Sequence, residues 1–267
     1  EFPVRLYSEP IREELIGQRV REIKNAGATC AVSFTPQNTK RMSPVAVEAG
    51  AEMLELDVWL TADGVPVVYH DEFLTVRGEN LGRIAQHTSH DLQEIELDEG
   101  LRIPTLERVF SQLLPLVPLN IELKFFNLNY RPLVGALIEL IWRFKAERKL
   151  LVSSFFHHSL EIVQRAEPSL ATAPIFGVPT GPPHPHDLEK LANLGPWRSR
   201  LGFHRPAAVV DYLMLDKETV RQFKKSRLAL IAYTVDEPED MRRMQQLGVE
   251  GIVTKRPDVL RRLLEET

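Results

Sequence analysis

The chain has 267 residues, 43% of them hydrophobic, enough to bury a sizeable core and better suited to one α/β barrel than to two small domains. Its formal charge of -4 leaves no basic footprint, so nucleic acid is not an expected partner. The single cysteine, Cys30, excludes an internal disulfide framework and fits a reducing compartment.

In residues 11–26, Ile11, Leu15, Ile16, Val20 and Ile23 fall at helical spacings and Asn25-Ala26-Gly27 supplies a stop, so a leading helix is expected. Residues 28–34, rich in small and β-favouring side chains and followed by Pro36, suit a first buried strand. Further strands are expected over 53–58, 66–70, 118–124, 150–154, 171–175, 208–213, 228–234 and 251–254. Helical patterns lie between them over 106–116, 133–148, 159–166, 187–193, 217–225 and 238–246. The strands are mostly apolar runs, as parallel strands covered on both faces are. Repeated strand-helix units without a dinucleotide glycine fingerprint favour a (β/α)8 TIM barrel over a doubly wound sheet, although nine candidate strands compete for eight positions.

Two stretches break the alternation. Residues 71–102, with Gly78, Gly82 and Gly100, follow directly after His70 and read as a small insertion over the barrel mouth of a single domain spanning 1–267. Residues 179–206 are rich in proline and histidine and read as a second surface excursion. The longest apolar segment, 133–142, is too short to span a bilayer and contains Glu139, so no transmembrane segment is expected. The start, Glu1-Phe2-Pro3-Val4-Arg5, lacks the charged and apolar regions of a secretory signal, and a cytoplasmic location is expected.

The chemistry concentrates in Glu55-Leu56-Asp57 and in His70. In an extended strand Glu55 and Asp57 point the same way about 7 Å apart, close enough to share a cation. Thr61-Ala62-Asp63-Gly64 is a turn signal leading into Val65-Pro66-Val67-Val68-Tyr69-His70. In Leu119-Asn120-Ile121-Glu122-Leu123-Lys124, alternation puts Asn120, Glu122 and Lys124 on one face. At a barrel mouth these strand ends meet, and three carboxylates without cysteine favour Mg²⁺ or Ca²⁺ over zinc. The plainer alternative is an ordinary Glu122–Lys124 ion pair with His70 capping a strand.

At this point the chain resembles the glycerophosphodiester phosphodiesterase family of (β/α)8 barrels. The matching residues are Pro36-Gln37-Asn38-Thr39, Glu48-Ala49-Gly50-Ala51, Leu54-Glu55-Leu56-Asp57-Val58, and Leu60-Thr61-Ala62-Asp63-Gly64-Val65-Pro66-Val67-Val68 with His70-Asp71. Further matches are Ile103-Pro104-Thr105-Leu106, Asn120-Ile121-Glu122-Leu123-Lys124, Ser154-Phe155, Tyr233-Thr234-Val235 and the segment from Gly248 to Thr254. The resemblance implies one divalent metal, Mg²⁺ or Ca²⁺, held by Glu55, Asp57 and Glu122. It also implies Lys124 near a phosphate oxygen, His70 as general acid or base, and a small phospholipid-derived phosphodiester as substrate. Tyr233 and Phe125 are the aromatic residues considered for binding the head group, with core packing as the alternative for each.

The family's His-Arg-Gly tripeptide at the end of the first strand is missing, and no histidine precedes His70. Without gaps, Ala28, Thr29 and Cys30 fall on those positions; an alternative alignment uses Ile16-Gly17-Gln18-Arg19-Val20, against the helical spacing there. The segment Pro36-Gln37-Asn38-Thr39 also lacks the family's glutamate, and Lys255 stands where many members have an acid. Losing one proton-transfer group costs roughly 10²- to 10⁴-fold in rate. His87, His90, His157 and His158 are the substitutes considered. A weakened metal-dependent hydrolase and a catalytically inactive binder of a phosphorylated ligand are therefore the two readings carried forward, ahead of a barrel enzyme of another chemistry.

Overall fold

The computed structural model describes residues 31–33, 53–97, 101–125, 129–177, 207–226, 228–256, 259–260 and 263. Within them, eight strands pair in the order in which they occur along the chain: β1 (Ala31–Ser33), β2 (Met53–Leu60), β6 (Leu119–Leu123), β7 (Leu150–Ser154), β8 (Ala171–Phe176), β9 (Ala207–Asp211), β10 (Ala229–Tyr233) and β11 (Gly251–Ile252). Every pairing along this path is parallel. Parallel neighbours need crossovers, and the described ones are helical: α2 (Leu106–Leu113), α3 (Arg131–Phe144), α4 (His157–Ala166), α5 (Lys217–Lys225) and α6 (Pro238–Leu247). The fold is the (β/α)8 barrel that the alternation predicts.

The ninth candidate strand is accounted for. β3 (Pro66–Val68) pairs antiparallel with β2 through the Asp63-Gly64 turn, and so it is a hairpin arm lying off the barrel path. Gly64 sits at φ +79°, where only glycine is unstrained. β3 also stops short of the predicted end: His70 lies beyond the ladder, though the Tyr69 N–H still reaches the Asp57 carbonyl at 3.0 Å. Helix α3 ends at Phe144 rather than at 148, because Lys145 turns left-handed with φ 51° and closes the helix with N–H bonds to the Ile141 and Trp142 carbonyls. The predicted helices over 11–26 and 187–193, and the whole of the 179–206 excursion, lie outside the described residues.

Strand alternation divides the barrel into two shells. Leu54, Leu56, Val58, Leu119, Ile121, Leu123, Leu150 and Val152 point outward and pack with Leu106, Val109, Phe110, Leu137 and Ile141 from α2 and α3. Each such burial is worth about 1.5–3 kcal/mol, so this shell holds the strands in place. Met53, Leu151, Ala171, Ala173, Ile175, Ala207, Val209 and Ala229 point inward and pack together. Several of these are alanines, and the small side chains leave the charged groups above them as the main contents of the mouth.

The insertion after His70 has its own structure: a hairpin of β4 (Phe73–Val76) and β5 (Glu79–Arg83), a 3₁₀ turn over Ile84–Gln86, and α1 (Ser89–Glu94). Its Leu74, Ile84, Leu92 and Leu97 form a separate apolar cluster with Trp59, Val67, Tyr69 and Ile103. Asp63 ties the β2–β3 turn to this unit by accepting from the Ser89 N–H and hydroxyl, each at 2.8 Å.

Candidate active site

β2 and β6 are neighbours whose register puts Glu55 opposite Asn120 and Asp57 opposite Glu122. Partners in a parallel ladder share a face about 4.8 Å apart, so the carboxylates that the sequence places on two separate strands gather at one point. Ligand oxygens of Glu55, Asp57 and Glu122 all lie within 4.8 Å of one another. Lys124, one residue past β6, turns its Nζ onto them, 3.0 Å from Asp57 Oδ1 and 2.5 Å from Glu122 Oε1. Below the acids, the Ser153 hydroxyl donates to Asn120 Oδ1 at 2.9 Å, which pairs the buried hydroxyl with the buried amide oxygen.

The ion pair of the plainer reading is therefore present, but it is embedded in a larger cluster. Among the described residues, three carboxylates converge beside one ammonium in a largely buried site, a set of oxygen donors that a divalent cation would fit. Burial pushes the Glu122 carboxyl above its ordinary range; Lys124 pulls it down in part, and Asp57 pushes it up again. Burial pulls the Lys124 ammonium down, but Asp57 and then Glu122 outweigh it and hold the proton on more firmly than usual. Glu122 Oε1 is sealed from solvent and accepts no aligned hydrogen bond; its contact with Lys124 is an ion pair. An all-oxygen donor set of this kind fits Mg²⁺ or Ca²⁺.

His70 stands at the rim. Its carbonyl accepts from Trp59 Nε1 at 3.3 Å, its Nδ1 meets Asp71 Oδ1 at 2.7 Å, and 60% of its side chain is exposed. It remains close enough for its charge to be felt at Glu122. Tyr233 lies on another wall, at the end of β10, half-buried, its hydroxyl donating to the Phe176 carbonyl at 3.1 Å. Burial lifts its phenol, with Asp211 and Glu122 adding to the effect and Lys124 opposing it. Phe125 packs edge to face on Tyr130 and Phe156 and joins the outer shell, which is the packing alternative.

None of the described substitute histidines joins the cluster. His87 Nε2 meets the Leu81 carbonyl inside the insertion, His157 Nε2 meets the Ile175 carbonyl beside Phe176, and His158 pairs with Glu161 on the surface. His90 lies on the exposed side of α1. β1 sets Ser33 in register with Glu55, while Ala28, Thr29 and Cys30, residues 16–20 and residues 36–39 lie outside the described residues. Sequence reasoning gave no site role to Phe155, which stood in the matching pair Ser154-Phe155, and passed over Asp211, whose place at a strand end was the available signal. Among the described residues, no helix is long and apolar enough to cross a membrane.

A glycerophosphodiester phosphodiesterase of Caldanaerobacter subterraneus subsp. tengcongensis is 32% identical over 241 residues, covering 86% of this chain and 93% of its own. The crystal structure of a glycerophosphodiester phosphodiesterase from Parabacteroides distasonis superposes with a TM-score of 0.72 at 25% identity, covering 90% of this chain and 99% of its own. A phosphodiesterase from Oleispira antarctica, solved in complex with the product sn-glycerol-3-phosphate, has the same fold, with a TM-score of 0.74 at 20% identity over 89% of this chain and 96% of its own. Residues 30–259 match the Glycerophosphoryl diester phosphodiesterase family, and the chain belongs to that family of phosphoric diester hydrolases.

Proposed function

We propose that this protein hydrolyses a phospholipid-derived glycerophosphodiester to glycerol phosphate and an alcohol, with Glu55, Asp57 and Glu122 holding one divalent metal, Mg²⁺ or Ca²⁺. The observation that carries the reading is the convergence of three carboxylates, their ligand oxygens within 4.8 Å of one another, beside Lys124. Bound there, the metal supplies the charge neutralisation that a phosphodiester anion needs. Lys124 adds a fixed positive charge beside the same oxygens, where it steadies the phosphate. His70, at the rim and partnered by Asp71, moves the proton that the leaving alcohol requires. Tyr233 contributes to substrate binding from the facing wall. With no first-strand histidine to complete an acid and base pair, turnover is reduced about 10²- to 10⁴-fold below that of a two-histidine member.

The chain works as a single barrel domain whose 71–102 insertion covers the mouth. Two features support this: the Asp63–Ser89 tie, and Trp59, two residues past Asp57, which packs into the insertion's own core. The acidic balance supports a small-molecule substrate without nucleic acid, and the cysteine content supports a cytoplasmic location. Release of glycerol phosphate from glycerophosphocholine with and without Mg²⁺ or Ca²⁺ tests the proposal. The second reading, a silent binder, is favoured by the missing histidine, and it predicts calorimetric binding of metal and diester with no turnover.

A further inference from the structure

The wall that carries Tyr233 is built differently from the acidic one. Tyr233 stands in register with Asp211 at the end of the neighbouring strand β9, so the two side chains leave the same face of the sheet about 4.8 Å apart. Phe155, just past β7, meets the Tyr233 ring edge to face with centroids 6.2 Å apart. Gly177 makes this contact possible: a Cβ there would fall 2.2 Å from the Tyr233 hydroxyl and 3.1 Å from a Phe155 ring carbon. All three of Phe155, Asp211 and Tyr233 are half-buried and so keep an open side.

The hydrogen-bond inventory sets what this wall can hold. Tyr233 spends its one hydroxyl proton on the Phe176 carbonyl, so toward a ligand it offers lone pairs. One Asp211 oxygen accepts from the Leu213 N–H at 3.0 Å, and among the described residues no basic side chain forms an ion pair with Asp211. Among the described residues these three side chains offer two aromatic rings and two kinds of acceptor and no donor, a combination that repels a phosphate oxygen. They suit a group that brings positive charge and N–H donors.

We infer that Phe155, Tyr233 and Asp211 form a head-group subsite that receives a cationic amino alcohol as the alcohol part of the diester, an inference that rests on the hydrolase reading above. Lys124, with the metal that the acids on β2 and β6 would hold, takes the phosphate end, while the facing wall selects the group that leaves. The raised Tyr233 phenol, to which burial contributes most and Asp211 next, agrees with a carboxylate close beside it.

The test is a ratio. The kcat/KM for glycerophosphoethanolamine is divided by that for glycerophosphoglycerol, whose alcohol is neutral, in wild type, Asp211→Asn and Asp211→Lys. Asp211→Asn keeps the oxygen that accepts from Leu213, so the local turn survives, and circular dichroism melts check this. The ratio is expected to fall about tenfold in Asp211→Asn and further in Asp211→Lys. An unchanged ratio in both variants overturns the subsite. If wild type turns over neither diester, the hydrolase reading fails separately, and the same ratio taken from calorimetric dissociation constants then decides the subsite by the same criterion.

Discussion

Lys124 Nζ stands 3.0 Å from Asp57 Oδ1, a cation supplied by the chain at the place where three carboxylates converge. Removing it leaves buried negative charge uncompensated, which typically costs about 3–5 kcal/mol. Lys124→Met is therefore expected to lower the unfolding free energy obtained from urea denaturation in EDTA by an amount of that order, with millimolar Mg²⁺ or Ca²⁺ restoring part of the loss. Denaturation curves with and without the ion check this, and a variant as stable as wild type in EDTA would show that the ammonium does not balance the cluster.

The raised Glu122 carboxyl makes stability depend on pH in a definite direction. Its ordinary value is 4.5, and burial lifts it above that in the folded chain. From pH 4.5 upward the folded state holds a proton that the unfolded state has lost, so this contribution to stability is complete below 4.5 and disappears as pH rises through the folded value. The stability of Glu122→Gln relative to wild type, measured in EDTA, should rise from pH 4.5 toward neutrality. A divalent ion requires the carboxylate, so metal affinity of wild type should climb over the same window. A difference that stays flat with pH would contradict the assignment.

His70 can be separated from the metal site by its leaving group. An alkoxide must be protonated as it departs, whereas p-nitrophenolate leaves unaided. His70→Ala is expected to reduce kcat for glycerophosphocholine about 10²-fold or more and to leave bis-(p-nitrophenyl) phosphate hydrolysis within about threefold of wild type. Equal losses on both substrates would assign His70 to activation of the nucleophile instead.

One side chain ties the β2–β3 turn to helix α1 of the insertion. Asp63 carries both bonds to Ser89, and Thr61 first and Ser89 next hold its carboxyl below the usual range. Asp63→Ala should speed amide hydrogen exchange across residues 84–97 while the barrel strands keep their protection. Unchanged exchange there would mean that the apolar cluster around Leu74 and Ile84 suffices to hold the insertion.

Much of this architecture was written in local patterns. Alternation in 53–58 and 119–124 is enough to put Glu55 with Asp57 and Glu122 with Lys124. What it cannot supply is the register between β2 and β6, which is set by outer-shell packing of Leu54, Leu56, Leu119 and Ile121 from segments far apart in the chain. The antiparallel β3 was signalled by Asp63-Gly64, a turn of the kind that joins hairpin arms, yet the apolar run after it looks the same as a barrel strand. Phe155 and Asp211 were hidden for a different reason. Phe155 stood in the matching pair Ser154-Phe155 without a role and Asp211 in no motif, and their meaning comes from the strand ends that bring Tyr233 beside them.

The most direct test of the metal-centred account is release of glycerol phosphate from glycerophosphocholine by wild type and Glu55→Ala, titrated with Mg²⁺ and with Ca²⁺ after EDTA treatment. The account predicts turnover that appears only with added ion and falls at least about 10²-fold in the variant. Turnover that is indifferent to EDTA, or equal in the two proteins, would contradict it.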